Sequence, residues 1–187
     1  WYENGQLQSE GNYIGGEKDG IHKGWDENGE LSFDGNYIDG KSEGLYKSYY
    51  EDGQLQSEEN YIGGEKDGLQ KSWYENGKIR GEFNYKNGKI DGHKRYYENG
   101  QLRGESNYKN DVYDGLQKDY YKNGQLEFEY NYRNGVYDGL QKDYYENGQL
   151  RIESNYKNGV YDGLQKGYYE DGQLEYERTY LNGKPFS

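Results

Sequence analysis

The sequence predicts an all-β protein: an elongated, single-layer antiparallel β meander, or solenoid, of about eight hairpin repeats, each 24 residues long. Three observations predict it. A turn tripeptide and a tyrosine both recur with a period of 24 residues, which is typical of repeat arrays rather than of a domain with one core. Twenty of the 30 glycines follow Asn or Asp, and such pairs are the strongest short-range hairpin signal. The segments between turns are short and rich in Tyr and Leu, which favours strands.

The repeat is defined by its turns. A tripeptide such as Glu3-Asn4-Gly5 closes each predicted hairpin, and successive turn glycines are 24 residues apart except at one junction, where they are 23 apart. These glycines are Gly5, Gly29, Gly53, Gly77, Gly100, Gly124, Gly148 and Gly172. The short junction lacks a leucine before His93. The regular spacing predicts that residues 1–187 form a single repeat array.

The composition excludes an aliphatic core. The 187 residues include 13 Leu, 7 Ile and 3 Val and no Ala or Met, against 26 Tyr and 3 Trp. Aromatic side chains bury large areas while keeping a polar tip in contact with water. We therefore expect ladders of aromatic rings to take the place of an oily interior. No apolar run approaches the roughly 20 residues that a membrane-spanning helix needs, so no membrane span is expected.

Charge and cysteine content exclude several function classes. The chain has 23 Lys and Arg against 35 Asp and Glu, a net charge of −12. Nucleic-acid phosphates require a basic face, so no nucleic-acid partner is expected, and an anionic membrane surface is disfavoured for the same reason. The absence of cysteine excludes disulfides, thiol catalysis and cysteine metal sites, and it leaves the compartment open.

The turn type sets the register of each hairpin. A two-residue turn would pair Tyr121 with Leu126, whereas a three-residue loop with a left-handed glycine pairs Tyr120 with Leu126. We choose the second because it places an aromatic column that contains all three tryptophans beside the leucines, as a buried stripe. The column is Trp1, Trp25, Tyr49, Trp73, Tyr96, Tyr120, Tyr144 and Tyr168. Alternation then predicts one face with Leu126, Phe128, Tyr130 and Tyr132 and another with Gln125, Glu127, Glu129 and Asn131.

The neighbouring tyrosine column is the candidate binding surface. In this register it lies on the polar face beside the glutamates, where it has no evident role in folding. Tyrosine is a favoured contact residue at protein interfaces, although cross-strand pairing would also explain such a column. The candidate binding residues are Tyr50, Tyr74, Tyr97, Tyr121, Tyr145 and Tyr169.

The other polar columns offer weaker candidates. A lysine column that includes Lys47 and Lys118 shares the face of the Trp and Leu columns; its stems would cover the aromatic stripe, or it would form a basic track for an acidic ligand. We take His22 and His93 to occupy different repeat positions and expect both at the surface. No Ser/His/Asp spacing accompanies them, and a periodic sheet gives every carboxylate the same environment, so no enzyme activity is expected. Asp-Gly loops are ordinary turns, so we expect no metal and no cofactor.

The repeat resembles a known family. Its core is Tyr-x-x-Gly-x-x-x-Gly, as in Tyr156 to Gly163, and it follows a unit such as Tyr144 to Leu150. This is similar to the bacterial variant of the MORN repeat, found in proteins often described as YwqK-type antitoxins, and the resemblance covers essentially the whole chain. The period of 24 favours it over choline- or glucan-binding wall repeats and over YD repeats, which have shorter units. Asp111 stands where the first core glycine should be, which leaves that loop geometry open.

The resemblance implies an elongated β scaffold for protein or lipid contacts, with no catalytic residues. Our leading hypothesis is a non-enzymatic scaffold that presents an extended Tyr-rich, acidic surface to a protein partner or to another copy of itself. The alternatives are a carbohydrate- or choline-binding cell-surface module and an antitoxin that neutralises a partner toxin. A lipid head group remains a possible ligand.

Overall fold

The computed structural model describes residues 1–186, which form 20 β-strands and no helix. The strands are Ser9–Ile14 (β1), Glu17–Trp25 (β2), Leu31–Ile38 (β3), Lys41–Ser42 (β4), Gly44–Tyr49 (β5), Leu55–Ile62 (β6), Glu65–Lys66 (β7), Gly68–Trp73 (β8), Ile79–Lys86 (β9), Lys89–Tyr96 (β10), Leu102–Lys109 (β11), Val112–Tyr113 (β12), Gly115–Tyr120 (β13), Leu126–Arg133 (β14), Val136–Tyr137 (β15), Gly139–Tyr144 (β16), Leu150–Lys157 (β17), Val160–Tyr168 (β18), Leu174–Leu181 (β19) and Lys184–Phe186 (β20). The predicted all-β fold of about eight hairpin repeats is confirmed.

The chain divides into two compact units. The first comprises Trp1–Ile90 and Glu98–Gly100, and the second comprises Asp91–Tyr97 and the chain from Gln101. In the first, β2 pairs antiparallel with β3, β5 with β6, and β8 with β9. In the second, β13 pairs with β14, β16 with β17, and β18 with β19 in the same way. The prediction that residues 1–187 form one domain stays a prediction.

The predicted hairpin register is confirmed. Tyr120 lies opposite Leu126, and every long hairpin repeats this pairing, as in Trp73 opposite Ile79. The loop is the three-residue type: the Gly124 amide donates to the Tyr121 carbonyl at 2.9 Å, and Gly124 has φ +87°. A positive φ at this position costs glycine little, which explains why the turns end in glycine.

The predicted division of the faces is wrong, because each hairpin contains a second irregularity. After the Tyr120–Leu126 pair the next pair is Asp119–Phe128, so Glu127 is an extra residue on its strand. A bulge of this kind reverses the alternation beyond it. Glu129 therefore shares a face with Lys118 and Tyr120, whereas Phe128, Tyr130 and Tyr132 lie on the other face. The apolar and polar residues alternate strictly from Leu126 to Tyr132, so the sequence pattern does not predict the extra residue.

The face with Tyr132 is covered by a ladder of tyrosine rings, hereafter the ladder face. In the second unit the ring centroids of Tyr108, Tyr113, Tyr132, Tyr137, Tyr156, Tyr161 and Tyr180 follow one another at 4.4–5.1 Å. Such offset pairs stabilise beyond simple area burial, and burial raises the pKa of Tyr132. No hydrophobic side chain among residues 1–186 is fully buried. Aromatic ladders thus replace an aliphatic core, as predicted, but Trp1 is 81% exposed rather than part of a buried stripe.

The most buried side chains in the described residues are polar. Gln70, Gln117, Gln141 and Gln165 are 4–7% exposed, and His22, in the same register position, is 3% exposed. The Gln141 side chain accepts from the Asn131 amide at 2.8 Å and donates to the Asn131 carbonyl at 2.9 Å. It thereby completes the backbone pairing between β14 and β16, whose own ladder covers only two residue pairs. The sequence signal, a glutamine recurring before lysine, was present but unused.

Two irregular positions keep the repeat geometry. Asp111 has φ +62°, so it adopts the left-handed conformation that Gly135 has one repeat later. Aspartate tolerates this conformation better than most residues. At the short junction, Gly92 lies opposite Asn107, just as Leu116 lies opposite Asn131. The missing leucine is therefore absorbed without displacing the strand.

Candidate functional site

The predicted binding tyrosines lie at the turn edge, where each hairpin loop closes. There the Tyr121 amide donates to the Gln125 carbonyl at 2.9 Å, so each column member closes its own loop. Asn123 accepts from the Gln125 amide and donates to the Glu146 carbonyl of the next loop at 2.8 Å. Side-chain amides thus hydrogen-bond each such loop to the loop of the next repeat along the turn edge.

The tyrosine hydroxyls have a folding role that the sequence did not reveal. Tyr121 donates to the Tyr144 carbonyl, and Tyr145 donates to the Tyr168 carbonyl, both at 2.8 Å. Tyr50 donates to the Trp73 carbonyl at 2.6 Å, and Tyr97 to the Tyr120 carbonyl at 2.8 Å. These rings are half-buried, so each bridges to the next repeat and leaves only part of its surface for a partner.

Tyr169 and Tyr74 complete the column. Tyr169 is 52% exposed, and its hydroxyl has no hydrogen-bond partner among the described residues. Tyr74 carries the Arg80 guanidinium over its ring at 5.9 Å from the centroid. Whether the six tyrosines bind a partner stays a prediction.

The first unit has an open groove of about 540 Å³ at its turn edge. Its lining consists of Tyr49, Tyr50, Glu51, Asp52, Gln56 and Glu75. The sequence argument named Tyr50 but not the carboxylates, although the recurring Glu at the start of each turn tripeptide was the available signal.

The three carboxylates of this groove differ in how firmly hydrogen bonds hold them in place. Asp52 is held in place, since it accepts from the Gln54 amide at 3.0 Å and from the Gln54 side chain at 2.8 Å. Glu51 and Glu75 are exposed. The groove therefore combines two aromatic rings with negative charge, an arrangement suited to a cationic side chain.

An internal cation already occupies the equivalent place in two other repeats. Arg80 lies over Tyr74, and the Arg103 guanidinium lies 5.7 Å from the Tyr97 ring centroid. Each arginine follows its tyrosine by six residues. The residue six positions after Tyr50 is Gln56, so the groove keeps its rings and carboxylates but lacks the guanidinium.

The chain matches the MORN repeat variant family at residues 1–14, 18–39, 42–62, 66–87, 93–110, 113–134, 137–158 and 161–182. It belongs to this family. MORN repeats commonly serve as modules that bind proteins or membranes, and these scaffolds are not generally enzymatic. No curated protein matches the chain.

The lysine column of this MORN array shares the face of Tyr120, as predicted, but its charge is neutralised. Lys47 lies 3.5 Å from Glu58, and Lys118 lies 3.2 Å from Glu129 directly across the strand. The hydrogen bond to Glu129 raises the pKa of Lys118. Exposed pairs of this kind stabilise weakly, yet each carboxylate cancels the charge that a basic track for an acidic ligand would need.

The two histidines occupy equivalent positions of the MORN repeat, contrary to our expectation. His22 lies opposite Gly35, and His93 lies opposite Ser106, in the position that glutamine holds in most other repeats. His22 is buried, with Nε2 2.7 Å from the Asn12 carbonyl oxygen and its ring edge-on to Tyr13 and Tyr37. The expectation of surface histidines is therefore wrong for His22, and only half right for the half-buried His93.

Residues 1–186 lack two other structural features. No group of three His, Asp or Glu side chains in this range is arranged to hold a metal ion. No helix in this range is long and apolar enough to cross a membrane.

Replacing Tyr145 with phenylalanine should lower the free energy of unfolding by about 0.5–1.5 kcal/mol, because the Tyr168 carbonyl loses its donor. Denaturant titration of both proteins measures the difference. Tyr169→Phe is the matched control, and we expect a change within about 0.5 kcal/mol there because that hydroxyl is unpaired. Equal losses in the two variants would contradict a bridging role for the hydroxyls.

His93 should make the protein sensitive to mild acid. Burial, with the nearby Arg95 charge, lowers the pKa of His93 to about 4, whereas unfolded histidine titrates near 6.5. Between these values the unfolded state binds more protons, so stability falls as the pH drops from 6.5 to 4. With a discount for solvent screening, we expect a loss of about 1–2 kcal/mol. The free energy of unfolding of His93→Gln, measured across this pH range, should fall by about that much less than that of the unchanged protein. Identical pH profiles of the two proteins would contradict the role of His93.

Proposed function

We propose that this protein is a non-enzymatic scaffold that binds a basic segment of a protein partner at the turn edges of its MORN repeats. The binding residues are Tyr50 and Tyr74 in the first unit and Tyr97, Tyr121, Tyr145 and Tyr169 in the second. The observation that carries the proposal is the groove at Tyr50, with two rings, three carboxylates and no cation.

The chemistry of the groove favours arginine. A guanidinium stacks on aromatic faces and pairs with carboxylates through a rigid fork of donors. The repeat already places arginine over the equivalent ring at Tyr74 and at Tyr97. An arginine from a partner would reproduce this contact at Tyr50, with Glu51 and Glu75 in reach to balance its charge.

The bacterial antitoxin class remains a narrower form of this proposal, in which the basic segment belongs to a toxin. Binding to another copy of the chain is a further form of it. Choline or carbohydrate recognition has less support, since arginine side chains already lie over Tyr74 and Tyr97.

The test uses a fluorescent peptide that carries two arginines among small polar residues, with a lysine-free, arginine-free peptide as the blank. Fluorescence anisotropy gives the dissociation constant with the full chain. Glu51→Gln/Glu75→Gln should weaken binding about tenfold, since two partly screened charge pairs contribute about 1.4 kcal/mol together. Gln56→Arg should weaken it further, because the new guanidinium would lie over Tyr50.

The matched control is Glu3→Gln/Glu27→Gln, which changes the same turn position in two repeats that contribute none of the proposed binding tyrosines. It should leave the affinity at the groove unchanged. Undiminished binding by Gln56→Arg, or binding that does not weaken at higher salt, would overturn the proposal.

A further inference from the structure

An exposed aliphatic stripe in the first unit is the feature that the turn-edge site leaves unexplained. Its six members, hereafter the aliphatic stripe, are Ile14 (67% exposed), Ile21 (60%), Ile38 (52%), Leu45 (43%), Ile62 (63%) and Leu69 (37%). They recur at two repeat positions, one in each strand of a hairpin. Exposed apolar side chains that recur on one face of a protein mark interaction surfaces.

The stripe lies on the face opposite the ladder face. Ile38 follows Tyr37 by one residue, and Leu45 and Leu69 precede ladder-face residues by one, so alternation turns all three away from the ladder. Register pairs support this, with Leu45 opposite Asn60 and Leu69 opposite Asn84. The stripe therefore forms two rows across the strands of a single unit, and in each row a polar residue on the neighbouring strand separates one aliphatic residue from the next.

Folding does not require an aliphatic residue at one of the two repeat positions of the stripe. At the position of Ile14, Ile38 and Ile62, three of the four residues of the second unit are charged, and the strands form there all the same. These four residues are Lys109, Arg133, Lys157 and Leu181. The side chains of Ile14, Ile38 and Ile62 are more than half exposed, so they contribute little burial energy. The choice of isoleucine at this position of the first unit therefore has a role other than stability.

The spacing of the stripe fits one kind of secondary structure. Each repeat contributes two long strands about 4.8 Å apart, so equivalent side chains recur about every 9.6 Å. Seven residues of an α-helix rise about 10.5 Å and return to the same face. An extended peptide would cover this distance in about three residues, which places the next side chain on the wrong face. A helix laid across the strands matches the stripe, and an extended peptide does not.

The negative charge of the first unit indicates which residues should flank the aliphatic side of that helix. The first unit contains 10 Lys and Arg against 19 Asp and Glu, a net charge of −9, whereas the second contains 13 against 16, a net charge of −3. Two of the three residues opposite the isoleucines of the stripe are carboxylates: Glu17 lies opposite Ile14 and Glu65 opposite Ile62, whereas Lys41 lies opposite Ile38. A partner that covers the stripe must therefore carry basic residues beside its aliphatic ones.

We infer that the aliphatic stripe docks a basic amphipathic α-helix of a protein partner, with one aliphatic residue per seven facing each repeat. The inference rests on the proposed function of protein binding but assigns a different surface and a different ligand chemistry. Aliphatic side chains would enter between the stripe residues, and lysines or arginines would meet Glu17 and Glu65.

The test uses a fluorescent 21-residue helical peptide with leucines in a heptad pattern and lysines on both flanks. We expect binding to the full chain, with a gain in peptide helicity by circular dichroism. Ile38→Lys/Ile62→Lys should weaken binding at least tenfold while melting unchanged, since lysine and arginine already occupy these positions in the second unit. Val136→Lys/Val160→Lys, at exposed aliphatic sites of the second unit, is the control and should bind normally.

Several results would overturn the inference. One is that Ile38→Lys/Ile62→Lys binds the helical peptide as tightly as the unchanged protein does, and another is that no binding occurs at millimolar peptide. The others are that a peptide with glutamates in place of its lysines binds equally well, or that an alternating Leu/Lys peptide, which cannot form the helix, binds more tightly than the helical peptide. Cosedimentation with phosphatidylcholine vesicles that is lost in Ile38→Lys/Ile62→Lys would assign the stripe to a membrane instead.

The two proposals fail separately. Gln56→Arg should weaken the binding of the arginine peptide and leave the helix-peptide affinity unchanged. Loss of helix-peptide binding alone overturns the stripe inference, whereas loss of arginine-peptide binding alone overturns the groove assignment.

Discussion

Replacing Gln141 with leucine should destabilise the protein by about 2–4 kcal/mol, the largest effect we expect from a single substitution. Gln141 is 4% exposed and hydrogen-bonds both the amide and the carbonyl of Asn131. Leucine fills similar space but leaves both backbone groups buried without a partner, and each such group costs about 1–3 kcal/mol.

Urea unfolding followed by tyrosine fluorescence measures this loss. Gln149→Leu is the matched control, because Gln149 is an exposed glutamine in the adjoining turn, and we expect a change within about 0.5 kcal/mol. If Gln141→Leu were as stable as Gln149→Leu, the buried amide would not complete the sheet as described.

The second large effect concerns a glycine under an aromatic ring. Gly24 lies opposite Phe33, and a Cβ atom added at Gly24 would clash with the Phe33 ring. Gly24→Ser should therefore force the ring aside and cost about 1–3 kcal/mol. Phe33→Ser alone should also destabilise the protein, because the Phe33 ring stacks on the Tyr46 ring with their centroids 5.8 Å apart.

The next repeat supplies the compensating pair. At the equivalent positions Ser48 lies opposite Ser57, and their hydroxyl oxygens are 2.7 Å apart. Gly24→Ser/Phe33→Ser should recreate this pair, so its loss should fall short of the sum of the single losses by at least about 1 kcal/mol. Additive losses would show that the ring and the glycine do not share one space.

The periodic part of the fold could be predicted from the sequence, because it depends on local signals. Asn-Gly and Asp-Gly pairs fix the turns, and the position of Tyr120 before the loop fixes the register with Leu126. The extra residue Glu127 could not be predicted, since a bulge is chosen by the whole sheet and not by the residues on either side. That single error moved Phe128 and Tyr130 to the wrong face.

The site was predictable in its residue types but not in its contacts. The recurrence of Tyr121 and Tyr145 located the turn edge, yet the hydroxyl bonds to the next repeat depend on distances that only coordinates supply. The groove at Tyr50 depends on a glutamine at the position where arginine covers the ring of Tyr74 and of Tyr97. The aliphatic stripe could be recognised only from the solvent exposure of each side chain, which a periodic sequence does not show.

The bridging hydroxyls have a consequence for how such a chain can change length. Tyr121 meets the Tyr144 carbonyl as Tyr145 meets the Tyr168 carbonyl, and Asn123 meets Glu146 as Asn147 meets Glu170. These consecutive joints offer the same donors to the same acceptors. Duplication or loss of a 24-residue segment from this part of the chain would therefore rejoin identical partners, so evolution can lengthen or shorten the array there in whole steps without redesigning a junction.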